Sequence, residues 1–346
     1  MAKFYFENDA DFGLILDKVI SVVGYGNQGR SQALNLRDNG FKVIVGNLID
    51  AYSDQAEKDG FNVYSIAEAT KKGDILLILL PDEIAPEVYS REIHQNLKKR
   101  NVLCFASGYN ITYDYISPPG FIDLILVAPR MGGPAVRETY LRKDGFVSLI
   151  GTSQDISGQA LNIAVAVSMG IGSVRGALLS SFEEETIIDL FGEQIEGMSL
   201  YTTQLAFETL IEAGCSPEAS LLELYMSEEP SEDWRNFARI GLWKQLRGHS
   251  RTSQYGQLTR GQLSADTQTR KLFAGILDDI KSGKFAREWM LEQKSGLTVF
   301  KRLMKRNLSH PINKSEESLL GALGKEKNLS PREPTPGGGK KAKRPG

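Results

Sequence analysis

The sequence has little cysteine, little histidine and no long apolar run, and each scarcity removes a class of answers. Its 346 residues include two cysteines, Cys104 inside an apolar run and Cys215 in the turn-like EAGCSPE. Two cannot build a disulfide framework or a cysteine-rich metal site. A metal must therefore be held by oxygen or by the three histidines. His94 and His249 lie in polar surroundings and His310 precedes Pro311, so all three read as solvated or structural. No stretch approaches the ~18 apolar residues that a membrane-spanning helix needs. The start, MAKFYFENDADFG, is polar and acidic where a secretory leader would be basic and then apolar, so a cytoplasmic location is expected.

A basic surplus is also missing. Forty-one Lys and Arg face 43 Asp and Glu, a net charge of −2. Residues 325–346, KEKNLSPREPTPGGGKKAKRPG, hold seven basic and two acidic residues, so they carry +5 and the rest of the chain −7. An acidic body argues against a nucleic-acid enzyme, which needs clustered Lys and Arg for phosphates. The Pro-, Gly- and Lys-rich segment has almost nothing to bury and reads as a disordered, solvated end. What is present is apolar material, 41% of residues with 15 Phe and 12 Tyr, enough for a sizeable core. The length suggests two domains.

The first half repeats a strand-then-helix rhythm. KVISVV (18–23) is followed by a Gly-rich turn and a helical stretch to Asn39. FKVIVG (41–46), DILLILLP (74–81), NVLCFA (101–106), DLILVAP (123–129) and FVSLIGT (146–152) continue as strands. DILLILLP is apolar on both faces, as a buried parallel strand should be. The alternation predicts an α/β fold with a doubly wound, Rossmann-like parallel sheet. From about Ser181 the strand-like runs vanish, and TIIDLFGEQIEGMSLYTTQLAFETLIEAG reads as long helix. The expected organisation is a dinucleotide-binding domain over 1–180, an all-helical domain over 181–324 and the basic tail over 325–346.

Chemistry first appears at Gly24-Tyr25-Gly26-Asn27-Gln28-Gly29, between the first strand and the first helix. Gly24 permits a tight turn, Gly26 lets backbone approach a pyrophosphate, and Gly29 allows close helix-strand packing. The helix N-terminus attracts the phosphate charge. The loop after the second strand then bears on the choice of nicotinamide cofactor. It has no Lys or Arg between Lys42 and Lys58, and Asp50 stands where a ribose hydroxyl would be read. The expectation leans to NADH, with NADPH open because Ser53 could take a phosphate.

Asp189 and Glu193 stand four apart on a predicted helix and face the same way. Two stacked carboxylates repel unless a cation or partner lies between them, and Mg²⁺ prefers such oxygens. A solvated acidic face is the competing reading.

At this point the residues carry a resemblance over about Phe4 to Leu323. The blocks VVGYGNQGRSQALNLRDNG, ILLILLPDE, FA-x-GYNI at 105–111, EEET-x-x-DLFGEQ, FETLIEAG, GKFAREWMLE and HPI at 310–312 resemble short-form ketol-acid reductoisomerases. That family moves an alkyl group in an acetohydroxy acid and reduces the product with a nicotinamide cofactor. The resemblance implies a knotted helical domain and an active site completed across a homodimer. It implies cofactor contacts that take in Pro81, Asp82 and Gly133, Mg²⁺ on Asp189, Glu193 and Glu223, and a substrate contact at Ser250.

Several positions depart from the family pattern. The fourth metal carboxylate is replaced by Ser227, with Glu228 and Glu229 just beyond and an apparent insertion in EEPSEDW. The family's His is Ser107, its Lys is Arg130, and Arg251 follows Ser250 in place of Asn. Alkyl migration relies on bridged Mg²⁺ ions as Lewis acids, whereas hydride delivery needs orientation, one polarising group and the cofactor. The substitutions therefore predict a diverged reductase of a 2-keto acid or related C=O or C=N substrate, its isomerase step doubtful. The alternatives are an authentic reductoisomerase, with Glu228 as substitute ligand, and a non-catalytic cofactor-binding paralogue.

Overall fold

The computed structural model describes residues 2–324; the basic tail lies outside the described residues. Elements follow in chain order as β1 (Phe4–Tyr5), α1 (Gly13–Leu16), β2 (Val19–Val23), α2 (Asn27–Asp38), β3 (Lys42–Gly46), α3 (Ala51–Lys58), β4 (Val63–Tyr64), α4 (Ile66–Lys72) and β5 (Ile75–Ile78). Then come α5 (Ala85–Val88), β6 (Val102–Phe105), α6 (Tyr109–Thr112), β7 (Asp123–Pro129), α7 (Gly133–Leu141), β8 (Val147–Gln154), α8 (Ala160–Gly170) and β9 (Gly176–Leu179). The remaining elements are helical: α9 (Phe182–Glu212), α10 (Pro217–Leu221), α11 (Glu229–Ile240), α12 (Arg251–Arg260), α13 (Thr267–Lys281), α14 (Lys284–Lys294), α15 (Thr298–Leu308) and α16 (Pro311–Ala322).

Nine strands form one sheet in the order β1-β9-β8-β7-β6-β5-β2-β3-β4. The run from β4 to β7 is parallel, as the alternation predicted. The strand expected at 146–152 does not continue it: β8 pairs antiparallel with β7, and β9 then runs parallel to β8. Hydrophobic alternation reports burial, not direction, so it could not distinguish the two. Ile20, Val22, Ile75 and Leu77 face one core layer with α2 and α8, while Val23, Leu76 and Ile78 face the other. Burial on both faces is why these strands read as unbroken apolar runs. Strand order reverses between β2 and β5, and in open α/β sheets the crevice at the carboxyl ends of such strands is where ligands bind.

The chain divides into two compact units, Met1–Gln194 with Leu272–Lys294, and Ile195–Lys271 with Ser295 onward. This division differs from a cut at 180. The first turns of α9 and the helical segment 272–294 go with the sheet. Part of the reason is two phenols in the loop after α6: Tyr113 donates to the Ile280 carbonyl (2.8 Å) and Tyr115 to that of Ala286 (3.1 Å). In the second unit Phe207, Leu221 and Leu319 form a small core. No helix among the described residues is long and apolar enough to cross a membrane.

Candidate active site

The Gly-rich loop leaves β2 at the strand reversal and enters α2. Gly24 has φ +94°, and a Cβ there would stand 2.7 Å from the Leu79 carbonyl oxygen at the end of β5. At Gly29 a Cβ would stand 1.9 Å from the Gly24 carbonyl oxygen, so the loop closes on its own helix only with glycine. Gly26 precedes α2 with no side-chain cap, and a Cβ on it would meet nothing within 4 Å. Open space therefore lies before uncapped helix N–H groups, the arrangement a pyrophosphate takes. The chain fits a dinucleotide on that observation.

The other loop residues divide their tasks. Asn27 is exposed at the helix start. Gln28 donates to the Met131 carbonyl (2.9 Å), and Gly133 opens α7 against the backbone of Asn27 and Gln28. Tyr25 turns its ring into the core, so its side chain supports the loop from beneath. Its hydroxyl donates to Asp59 (2.9 Å), which also takes Arg30 Nε (2.7 Å), and burial with the Asp59 charge pushes the phenol pKa up.

Asp50 and Ser53 lie after β3 as expected, but their side chains are committed to a helix cap. Asp50 accepts from the backbone N–H of Tyr52 (2.9 Å) and Ser53 (3.0 Å) and from Asn47 Nδ2 (2.9 Å). The Ser53 hydroxyl donates to the Asp50 carbonyl (2.7 Å) and is buried. Asp50 itself is exposed. Asn47 also accepts the Tyr25 N–H (3.2 Å), tying this loop to the glycine turn.

A second group forms where β5, β6 and β7 end against the first turns of α9. Arg130, just after β7, donates from Nη1 to Glu185 (3.2 Å) and from Nη2 to Asp189 (2.6 Å). Glu185 is buried and accepts the Gly108 N–H (2.7 Å) on its other oxygen. Burial raises its pKa to about 7, helped by the Asp189 charge, against the pull of the Gly108 N–H and of Arg130. Asp82 follows the exposed Pro81 just beyond β5 and lies close enough to this group to feel the Asp189 and Glu193 charges. Burial raises its pKa to about 7, with the charges of Glu83, Asp189 and Glu193 adding and a Ser107 hydrogen bond opposing. Asn110 donates to its carboxyl oxygen (3.2 Å). Ser107 thus meets Asp82.

Glu185 was missed in the sequence, although it precedes Asp189 by the same four residues that separate Asp189 from Glu193. Asp82 was placed only with the cofactor, because a strand-end carboxylate gives no spacing signal.

Asp189 and Glu193 are carboxylates one turn apart on α9 whose charges both reach Asp82, and hard cations such as Mg²⁺ prefer oxygens of this kind. Among the described residues no three of His, Cys, Asp and Glu converge in a metal-holding arrangement. Oxygens beyond these two are needed. Glu223, Ser227 and Ser250 belong to the second unit. Glu223 lies in a π-helical turn, Leu222–Met226, and Ser250 caps α12 by accepting the Ser253 N–H (3.2 Å). The π turn takes one more residue per turn than an α-helix, so the register after Glu223 slips by one. Glu228 follows with φ +74°, a left-handed break before α11.

Comparison with known proteins bears on the family. Residues 14–177 match the family model described as acetohydroxy acid isomeroreductase, NADPH-binding domain. Residues 182–323 match ketol-acid reductoisomerase, C-terminal domain. A protein of Methanopyrus kandleri named ketol-acid reductoisomerase (NADP(+)) is 42% identical over 330 residues, covering 94% of this chain and 100% of that protein. A relative of the same name from Petrotoga mobilis is 39% identical, covering 94% and 97%. A solved structure of an NADH-preferring ketol-acid reductoisomerase from an uncultured archaeon superposes with a TM-score of 0.88 at 32% identity, covering 92% of this chain and 98% of that one. With two adjoining family models spanning nearly its whole length and relatives matched end to end, the chain belongs to the ketol-acid reductoisomerase family.

Proposed function

We propose that the chain is a nicotinamide-dependent ketol-acid reductoisomerase, joining alkyl migration in an acetohydroxy acid to reduction of the rearranged keto acid. The comparisons favour this reading over the diverged reductase that Ser107, Arg130 and Ser227 suggested, and over a non-catalytic paralogue. The observation that carries it is the π turn at Glu223. With one more residue in that turn and a left-handed break at Glu228, the segment supports Glu228 rather than Ser227 as the residue that would stand in for the missing fourth carboxylate.

The residues would divide the work as follows. Asp189 and Glu193, with Glu223 and Glu228, would hold Mg²⁺, which supplies Lewis acidity toward hydroxyl and carbonyl oxygens when bound. Glu185, whose pKa burial raises to about 7 and whose oxygens are held by Gly108 and Arg130, would suit proton transfer at the substrate. Arg130 offers fixed positive charge beside developing oxyanions. Ser250 would contact substrate, and Gly24 to Gly29 would fix the cofactor for hydride delivery. Robust conversion of acetolactate is expected, and Glu228→Gln should cut it about a hundredfold or more. Reduction of an already rearranged 3-hydroxy-2-keto acid without conversion of acetolactate would reinstate the diverged reductase. Ser227→Glu with Ser107→His should then restore the migration.

The cofactor is proposed to be NADH in preference to NADPH. A 2′-phosphate would meet the exposed Asp50 carboxylate in a loop without Lys or Arg. Asp50→Ala should narrow the preference. Dissociation constants tenfold or more in favour of NADPH for the unmodified protein would overturn the assignment.

The working unit is proposed to be a cytoplasmic homodimer or larger, with Glu223 and Ser250 reaching the site from a neighbouring subunit. Large apolar side chains stand exposed in the second unit, including Leu200, Leu205 and Trp243, which supports this reading. A fully active monomer by light scattering at micromolar concentration would refute this.

A further inference from the structure

Arg130 divides its two terminal nitrogens between carboxylates one helical turn apart on α9. Nη1 donates to Glu185 Oε1 at 3.2 Å and Nη2 to Asp189 Oδ1 at 2.6 Å. The Glu185 end is fixed, since its side chain is 2% exposed and its second oxygen accepts the Gly108 N–H at 2.7 Å. The Asp189 end is open, with that side chain 32% exposed. A short bond between charged groups is among the stronger hydrogen bonds, and the planar guanidinium fork matches two separate acceptors as a lysine ammonium cannot. An ion approaching Asp189 must therefore displace Nη2 or accept a positive charge bonded to the same carboxylate.

We propose that Arg130 is a latch on the candidate metal site: by bridging Glu185 and Asp189 it competes with divalent cations for the Asp189 carboxylate and sets their affinity low. Occupancy would then follow the supply of the ion, and metal entry would free the guanidinium from Asp189 while Glu185 keeps hold of its other arm. The latch rests on the reading of Asp189 as a metal ligand, and the test separates the two.

The test is Mn²⁺ binding by the full chain without cofactor or substrate, read from the electron paramagnetic resonance signal of free Mn²⁺. The unmodified protein is compared with Arg130→Lys, Arg130→Gln and Asp189→Asn, each checked for folding by circular dichroism. Arg130→Gln should bind Mn²⁺ at least about tenfold more tightly than the unmodified protein, Arg130→Lys should fall between them, and Asp189→Asn should lose binding. Should Arg130→Gln not fold, Arg130→Lys decides alone, because it keeps the charge and removes only the fork. Equal or weaker binding by the folded Arg130 variants overturns the latch and leaves the metal reading standing. Absence of Mn²⁺ binding at millimolar concentration in the unmodified protein and the Arg130 variants overturns both.

Discussion

Gly29→Ala should abolish useful binding of either nicotinamide cofactor, raising the dissociation constant by about a hundredfold or more, on the order of 3 kcal/mol. The added methyl would stand 1.9 Å from the Gly24 carbonyl oxygen, and both partners are backbone, so no side chain can swing aside. The start of α2 must move away from the end of β2, and the uncapped N–H groups lose their aim at the pyrophosphate. Overpacking of this kind also costs about 1 to 3 kcal/mol of stability. Gly26→Ala separates the two effects. Its Cβ would meet nothing within 4 Å, so unfolding should be unchanged while the cofactor meets a methyl. Fluorescence titration with NADH, alongside chemical denaturation, reads both. Binding by Gly29→Ala within threefold of the unmodified protein would remove the loop from the dinucleotide site.

The second large effect is expected at the carboxylates of α9. Asp189→Asn removes a proposed metal donor and also the partner of Arg130 Nη2. Turnover should fall about a thousandfold, on the order of 4 kcal/mol, while the NADH dissociation constant stays within about twofold. Glu185 adds a pH signature to the metal-free protein. Its folded pKa is raised by burial from the ordinary carboxyl range to about 7, so the folded state binds the proton more tightly than the unfolded chain. Its contribution to stability is therefore fully present below about pH 4.5. That contribution is lost as pH rises toward 7, and the loss levels off above that. Asp82, also raised to about 7, adds to the same decline. Denaturation of Glu185→Gln between pH 4.5 and 8 should show a shallower fall than the unmodified protein. An identical slope would mean that Glu185 stays ionised throughout.

Some of this site could be read from residue order alone. The Gly24 to Gly29 spacing specifies a tight turn, a close approach and a helix start, all within six residues of chain. Asp189 and Glu193 declare a shared helix face because an α-helix repeats every 3.6 residues. Glu185 obeys the same rule and could have been found by extending it one turn back. Asp50 was located correctly after β3, but whether its carboxylate was free or occupied in capping α3 depended on Asn47, Tyr52 and Ser53 at once.

The sequence by itself determined the alternation of strands and helices, the change to an all-helical second half, the dinucleotide turn and the family. Each of these is a pattern of neighbours within a few turns or one strand, where covalent geometry fixes which side chains share a face. The tertiary structure alone decided that β8 runs against β7, that 272–294 belongs with the sheet, that Glu223 sits in a π turn, and that Asp82, Ser107, Arg130 and Glu185 surround one another. Those residues come from the ends of three strands and one helix, as far as 103 positions apart in the chain, and no local period relates them. Their meeting is set by sheet order and by how α9 packs across the strand ends. The buried carboxyls then acquire their raised pKa values from desolvation, which exists only once the chain has closed around them.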